Sequence, residues 1–239
     1  MRVGIIGAGG MGATLARHLT KLGHLVSIAN SRGPESLTAL AAETGSTPVS
    51  VVEAAKVGEI VIVAIPTKAV TDLPPGLFAD VPESVVVIDV GNYHPELRDG
   101  RIDAIDQGML DSEWVAQQLG HPVIKAFNNI LASSLREKHL PRGTHGRIAL
   151  SVAGDSSDAK ERVLRLVDDL GFDPVDAGDL DNSWRLQPGT PAYCRDLEAS
   201  ALRRALAEAD RSRIAEYRAE REAFLRRQIA AHHDGPSND

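Results

Sequence analysis

The chain has 239 residues, 43% hydrophobic and 25% charged, with a formal net charge of −7 and a single cysteine, Cys194. That length suits one large domain or a domain with an appendage, and the composition is that of a globular chain rather than a disordered one. The acidic balance argues against nucleic-acid binding, which needs clustered Lys and Arg, and one cysteine excludes both an intramolecular disulfide and a multi-cysteine metal site.

No apolar run approaches the roughly 18 residues that span a bilayer. Met1 to Ile6 enters a strand at once, so no leader peptide is expected and a reducing, cytoplasmic setting fits.

Arg2 to Ile6 predicts a buried strand, and Met11 to Leu22 a helix stopped by Gly23. Leu25 to Ala29 is a second strand. Pro34 opens a helix that Gly45 closes. Thr47 to Val49 is a brief strand, and Ser50 with Glu53 forms a capping-box pattern for a short helix. Glu59 to Ile65 and Ser84 to Val90 are short, continuous apolar runs of the kind a parallel sheet buries on both faces. Val123 to Ala126 and Arg147 to Ala153 read as strands flanking a helix at Leu131 to His139. Ser157 to Leu170 is a helix, followed by a strand at Pro174-Val175. This alternation predicts an α/β fold, a doubly wound Rossmann-type sheet, mostly parallel, over residues 1–180.

Residues 181–239 change character. Asp181 to Cys194 reads as a loop, and Arg195 to about Ala231 as a helical extension with a weakened stripe at Arg211 to Arg213. Leu197, Leu202, Leu206, Ile214, Tyr217 and Phe224 form its apolar positions, and Glu222 with Arg226 makes a favourable i,i+4 pair. The extension docks on its own domain or clasps a second subunit. Trp184 and Tyr193 form a lid or anchor that helix. The tail from His232 is expected to fray.

Gly7, Gly9 and Gly12 form G-x-G-x-x-G between the first strand and the first helix, the context in which this pattern cradles a pyrophosphate. Gly7 permits the turn, Gly9 the approach of phosphate, and Gly12 close helix–strand packing. The helix N-terminus adds free N–H groups and its positive dipole end. The expected binding residues of this turn are Gly7, Gly9, Gly10, Met11 and Gly12.

The second strand ends at Asn30-Ser31-Arg32, where NAD-binding folds carry a carboxylate for the ribose 2′-OH. A guanidinium and two neutral polar groups suit a 2′-phosphate instead, so NADP(H) is the expected cofactor. Glu35 is a small contrary signal.

Ligands of open parallel sheets lie beyond the strands' carboxyl ends. Ile65-Pro66, Tyr93-His94 and Lys125 to Asn129 should therefore face the nicotinamide. Tyr93 and His94 could donate protons or lie in a surface loop. Lys125 could be catalytic or point away. Asn128 and Asn129 could bond a ring edge or cap a helix. No segment presents a clear general acid, base or metal cluster, so no catalytic or metal residue is assigned. Ring-to-ring hydride transfer needs little proton chemistry.

On GIIGAGGMG at Gly4 to Gly12, NSR at Asn30 to Arg32, AIP at Ala64 to Pro66 and KAFNN at Lys125 to Asn129, the chain resembles the coenzyme F420-dependent NADP oxidoreductases. It is also similar to the cytosolic NADPH-binding domain of six-transmembrane ferric reductases. The resemblance covers about residues 1 to 180. It implies direct hydride transfer between NADP(H) and a deazaflavin or flavin ring (coenzyme F420, FAD or FMN), in a homodimer. Ser31 and Arg32 would hold the 2′-phosphate, and Ile65, Pro66, Ala126, Phe127 and Asn128 would flank the nicotinamide and acceptor. The turn departs from the G-G-T-G of many F420 users, carrying Gly7-Ala8-Gly9-Gly10.

Two other readings compete. One is a small-carbonyl or imine reductase of the pyrroline-carboxylate reductase or β-hydroxyacid dehydrogenase type. It needs a large helical second domain, for which only some 60 residues remain. The other is a non-catalytic NADP(H) sensor.

Overall fold

The computed structural model describes residues 1–233. The tail expected to fray lies outside them, apart from the backbone of His232 and His233. Six strands form one parallel sheet in the order β3-β2-β1-β4-β5-β6: β1 Arg2–Ile6, β2 Leu25–Ala29, β3 Thr47–Pro48, β4 Ile60–Val63, β5 Val86–Asp89 and β6 Val123–Lys125. Strands β7 (Ala149–Val152) and β8 (Asp173–Asp176) pair parallel to each other. Two hydrogen bonds between Lys125 and Ala153, of 2.8 and 3.0 Å, join this pair to β6 in the antiparallel sense. The sheet is therefore mostly parallel, as the short apolar runs predict.

Register and alternation build two layers. Val3 pairs with Val26 and Ile60, and Ile5 with Ile28 and Ile62. Ile5, Ile28, Ile62 and Ile88 face one side, against Leu15 and Leu19 of α1 (Gly10–Lys21) and, further along the chain, the helices at Ala132–Glu137 and Ser157–Asp169. Ile6, Val61, Val63 and Val87 face the other. Burial on both faces is why these strands are apolar without alternation.

Helix α2 is Thr38–Thr44 and α3 is Val51–Lys56. The single helix expected from Pro34 to Gly45 is broken: a 3₁₀ turn at Pro34–Leu37 precedes α2. Ser36 bonds Asn30 and the Gly33 carbonyl, tightening that first turn. Ser50 caps α3 in a true capping box with Glu53. Helices α4 (Asp103–Asp106) and α5 (Asp111–Leu119) follow a single π turn at Pro95–Asp99. Helix α6 is Ala132–Glu137 and α7 is Ser157–Asp169.

The expected loop at 181–194 starts as a 3₁₀ helix, Leu180–Leu186, held by buried Trp184 and Leu186. The extension is two helices, α8 (Ala199–Glu208) and α9 (Ile214–His233). They break where the apolar stripe weakens, at a 3₁₀ turn over Arg211–Arg213 that Asp210 caps. Leu202 and Leu206 of α8 pack on Val175 and Leu186. Helix α9 docks on its own domain through buried Tyr217 and Glu222. The turn at Gly189 seats against it, where an added Cβ would overlap the Tyr217 carbonyl. Phe224 is off the docked face, 43% exposed. Glu222 turns inward and accepts the Glu96 N–H at 3.2 Å, while Arg226 pairs with Glu96 at 2.9 Å. Burial thus replaces the expected direct Glu222–Arg226 pair with two links to Glu96.

Candidate functional site

The strand β1 to helix α1 turn closes as its glycines demand. Gly7 sits at φ 114° and donates its N–H to Ala29 O at 2.8 Å. A Cβ there would overlap the Ala64 carbonyl, and one on Gly12 would overlap the carbonyl of Gly7. These two glycines are required by the fold itself. Gly9 differs: no protein atom lies within 4 Å of where its Cβ would stand. The first helical bond runs from Ala13 N–H to Gly9 O, so the preceding amides at Gly10, Met11 and Gly12 have no partner within the helix. An open cradle lined by free amides fits a pyrophosphate.

At the end of β2, Ser31 and Arg32 are exposed. Arg32 gives its backbone N–H to Asn30 Oδ1 at 2.9 Å, and its guanidinium has no hydrogen bond or ion pair with a described residue. Asn30 is occupied as scaffold, since its amide also bonds Ser36 at 2.9 Å. The segment after Gly33 is a 3₁₀ turn, not the α-helix N-terminus the sequence suggests.

From the glycine turn a cleft of about 390 Å³ crosses the strand ends. Gly9, Gly10 and Met11 line it together with Ile65, Pro66, Gly91, Phe127, His94 and Tyr193. Phe127 holds φ 60°, a left-handed conformation rare for a bulky residue and a mark of sites where the backbone is over-determined. Its neighbours Ala126 and Asn128 are buried and do not line the cleft. Asn128 instead ties loops together, donating to Leu186 O at 2.7 Å and Asn92 Oδ1 at 3.1 Å.

Lys125 points away from the cleft, to Asp89 Oδ2 at 2.8 Å and Gly91 O at 2.5 Å. Asp89 also accepts from Ser112 and from Gly91 N–H, so the floor of the cleft is a buried polar network. Tyr93 is fully buried; its hydroxyl accepts the Ile102 N–H at 2.8 Å and donates to Asp106 at 3.1 Å. Burial pushes its pKa up to about 12. It is therefore structural, and the expected surface-loop setting fails for both residues, since Tyr93 and His94 are buried.

His94 does reach the cleft. Burial, then the Arg98 charge, lowers its pKa to about 4. Arg98 grips Asp99 at 2.9 Å and the Asn92 carbonyl, and Asp99 accepts the His94 N–H at 2.7 Å. Tyr193 closes the far wall with the Arg221 guanidinium 5.4 Å from its ring centroid. Burial raises the Tyr193 hydroxyl pKa, and raises the neighbouring Cys194 thiol to about 11. Trp184 stays in the packing under α9 with Leu110 and Ala209. Sequence spacing offers no sign that Arg221 and Glu222 stand behind the cleft residues Tyr193 and His94, because α9 returns over a turn more than a hundred residues earlier.

Comparison with known proteins agrees with this geometry. Residues 2–93 match the family described as NADP oxidoreductase, coenzyme F420-dependent. The crystal structure of hypothetical protein SMa0349 from Sinorhizobium meliloti is 32% identical, with a TM-score of 0.70 over 83% of this chain and 96% of that one. The structure of "a putative F420 dependent NADP-reductase" from Arthrobacter sp. FB24 is 22% identical, with a TM-score of 0.61 over 77% of this chain and 87% of that one. Protein YjhV of Escherichia coli K12 is 52% identical over 66 residues, 28% of this chain, and the match spans about half (48%) of that curated relative. With its glycine turn, its strand-end cleft and its mostly parallel sheet, the chain is a Rossmann-type NAD(P)-dependent oxidoreductase whose residues 2–93 match the coenzyme F420-dependent NADP oxidoreductase family.

Proposed function

We propose that this protein transfers hydride directly between NADP(H) and a deazaflavin- or flavin-type acceptor bound against the nicotinamide. The observation that carries the reading is the cleft itself. It joins the glycine turn, open at Gly9, to the strand-end residues Ile65, Pro66 and Phe127. The amides of Gly9 to Gly12 would hold the pyrophosphate, and Ser31 with Arg32 the 2′-phosphate. NADPH supplies a hydride when bound. The chain's own part is to orient the rings and exclude water, which is the larger share of such catalysis. The exposed Arg32 guanidinium and the lack of a carboxylate at 30–32 support NADP(H) over NAD(H).

Anaerobic NADPH oxidation with coenzyme F420, FMN, FAD, riboflavin and pyrroline-5-carboxylate tests this, with NADH in parallel. Turnover on a ring acceptor with NADPH preferred is the expected result. Turnover on pyrroline-5-carboxylate alone would favour the second reading, a small-imine reductase, to which His94 in the cleft gives support. NADPH binding with no turnover on any acceptor would overturn both. Light scattering of the purified chain tests the homodimer that the family resemblance implies.

A further inference from the structure

The cleft holds an ionisable pair that ring-to-ring hydride transfer leaves without a task. His94 lines the cleft, yet its Nδ1 is sealed from solvent and has no hydrogen-bond partner. That nitrogen faces Glu222 Oε1 at 3.9 Å. Glu222 arrives from α9 and is 3% exposed. A native fold rarely leaves a buried polar atom unpartnered without a use for it.

The surroundings of the pair are mixed in charge. Arg98 and Asp99 of the π turn and Arg218 and Arg221 of α9 act on His94; Glu96, Arg226 and Arg218 act on Glu222. Of these, Asp99 is taken by Arg98 and by the His94 backbone, and Arg218 by buried Asp111 at 3.2 Å. Burial is the largest influence on both members and favours the uncharged form of each: His94 is held down and Glu222 up. Glu222 Oε1 also accepts the Glu96 N–H, which favours the carboxylate; when the carboxyl carries its proton, it and the neutral imidazole can share one hydrogen bond, O–H to Nδ1. The second imidazole proton then sits on Nε2.

We propose that Glu222 and His94 deliver the proton that accompanies the hydride, so that the acceptor is a molecule whose reduced carbon adjoins a nitrogen or oxygen requiring protonation. This rests on the second reading above, a reductase of a small imine or carbonyl, and competes with the ring-acceptor reading. The electron pair reaches the acceptor carbon as hydride from the reduced nicotinamide. The double bond to the adjacent heteroatom opens, and that atom takes the Nε2 proton. In the same step the Glu222 carboxyl proton moves to Nδ1. The imidazole ends neutral in its other tautomer, and Glu222 ends as a carboxylate that regains a proton from water. Closing the 3.9 Å gap to the ordinary hydrogen-bond distance of about 2.8 Å takes only a small ring movement. His94 is the catalytic residue, and Glu222 acts through it.

Histidine ¹⁵N NMR of the full chain tests the pair without any acceptor, with His94→Gln identifying the signal. The expected result is a neutral His94 whose proton sits on Nε2 at pH values below the Glu222 titration and leaves that nitrogen as the carboxyl ionises. Glu222→Gln keeps that tautomer, because an amide N–H also donates to Nδ1, and Glu222→Ala loses it. A His94 that titrates like a free imidazole, carries its proton on Nδ1 below the Glu222 titration, or ignores Glu222→Ala overturns the proposal. With any acceptor that turns over, Glu222→Gln should lower kcat about 100-fold, at unchanged KM for NADPH and an unchanged melting temperature. Wild-type kcat should fall as pH rises through the Glu222 titration, and the Gln variant should lack that limb. An unchanged kcat and pH profile would overturn the relay. Failure of every acceptor would count against the oxidoreductase reading, while the tautomer measurement would still decide the pair.

Discussion

Lys125 Nζ lies 2.8 Å from Asp89 Oδ2, with each side chain only 2% exposed. The same ammonium bonds Gly91 O, so one buried cation ties β6 to the turn that floors the cleft. A residue that the sequence allows as catalytic is thus a brace. Removing one partner of such a pair strands the other charge in the core. Lys125→Met should cost about 3–5 kcal/mol in denaturant unfolding. Adding Asp89→Asn should recover part of that loss. Equal stability of the single variant and wild type would show the pair to be dispensable.

Arg32→Glu should separate the two dinucleotides. The guanidinium has no anionic partner among the described residues, so its removal disturbs little of the fold. A 2′-phosphate loses its cation and meets an anion. NADPH affinity should fall by about 100-fold, which is close to 3 kcal/mol, with NADH affinity nearly unchanged. Calorimetric titration with both nucleotides checks it, and an equal loss for both would remove the phosphate assignment.

Gly9 and Gly12 should fail in opposite ways. Gly9→Val places its side chain in open space, so the chain should fold with its melting temperature almost unchanged and bind neither dinucleotide. Gly12→Ala presses a methyl on the Gly7 carbonyl and should destabilise the fold by about 1–3 kcal/mol. Retained NADPH affinity in a folded Gly9→Val protein would contradict the cradle.

His94 should leave a signature in acid stability. Its pKa is about 4 when folded against 6.5 as the ordinary value, so the unfolded chain binds the proton more readily. The stabilisation is complete above pH 6.5 and is lost as pH falls toward 4, about 3 kcal/mol over the whole window. His94→Gln should therefore flatten the wild-type decline between those limits. Urea unfolding at stepped pH reads it, and parallel curves for the two proteins would refute the depressed value.

Much of the sheet was legible because both-face burial writes itself as unbroken Val and Ile runs, as at Ile60–Val63 and Val86–Asp89. Gly7 and Gly12 of the turn were legible because sterics admit little else at those two positions. The helix from Pro34 was misread as continuous, since the Asn30–Ser36 bonds that tighten its start depend on a loop fold. The pairing of Glu222 with Arg226 was misread because helical spacing says nothing about burial beneath Glu96. Tyr93 and His94 are adjacent in sequence yet end in different environments, one locked by Ile102 and Asp106 and the other open to the cleft. The turn and helix after Pro95 decide the first and the return of α9 bears on the second, and no local pattern encodes either.

Tyr193, with Arg221 of α9 over its ring, lines the cleft, and so do Gly9, Gly10 and Met11 of the glycine turn. These parts of the lining lie on stretches of chain that can vary independently. Drift in α9 could retune what the protein reduces while the nucleotide-holding half stays untouched. A family built this way can keep one reductant and spread over many oxidants.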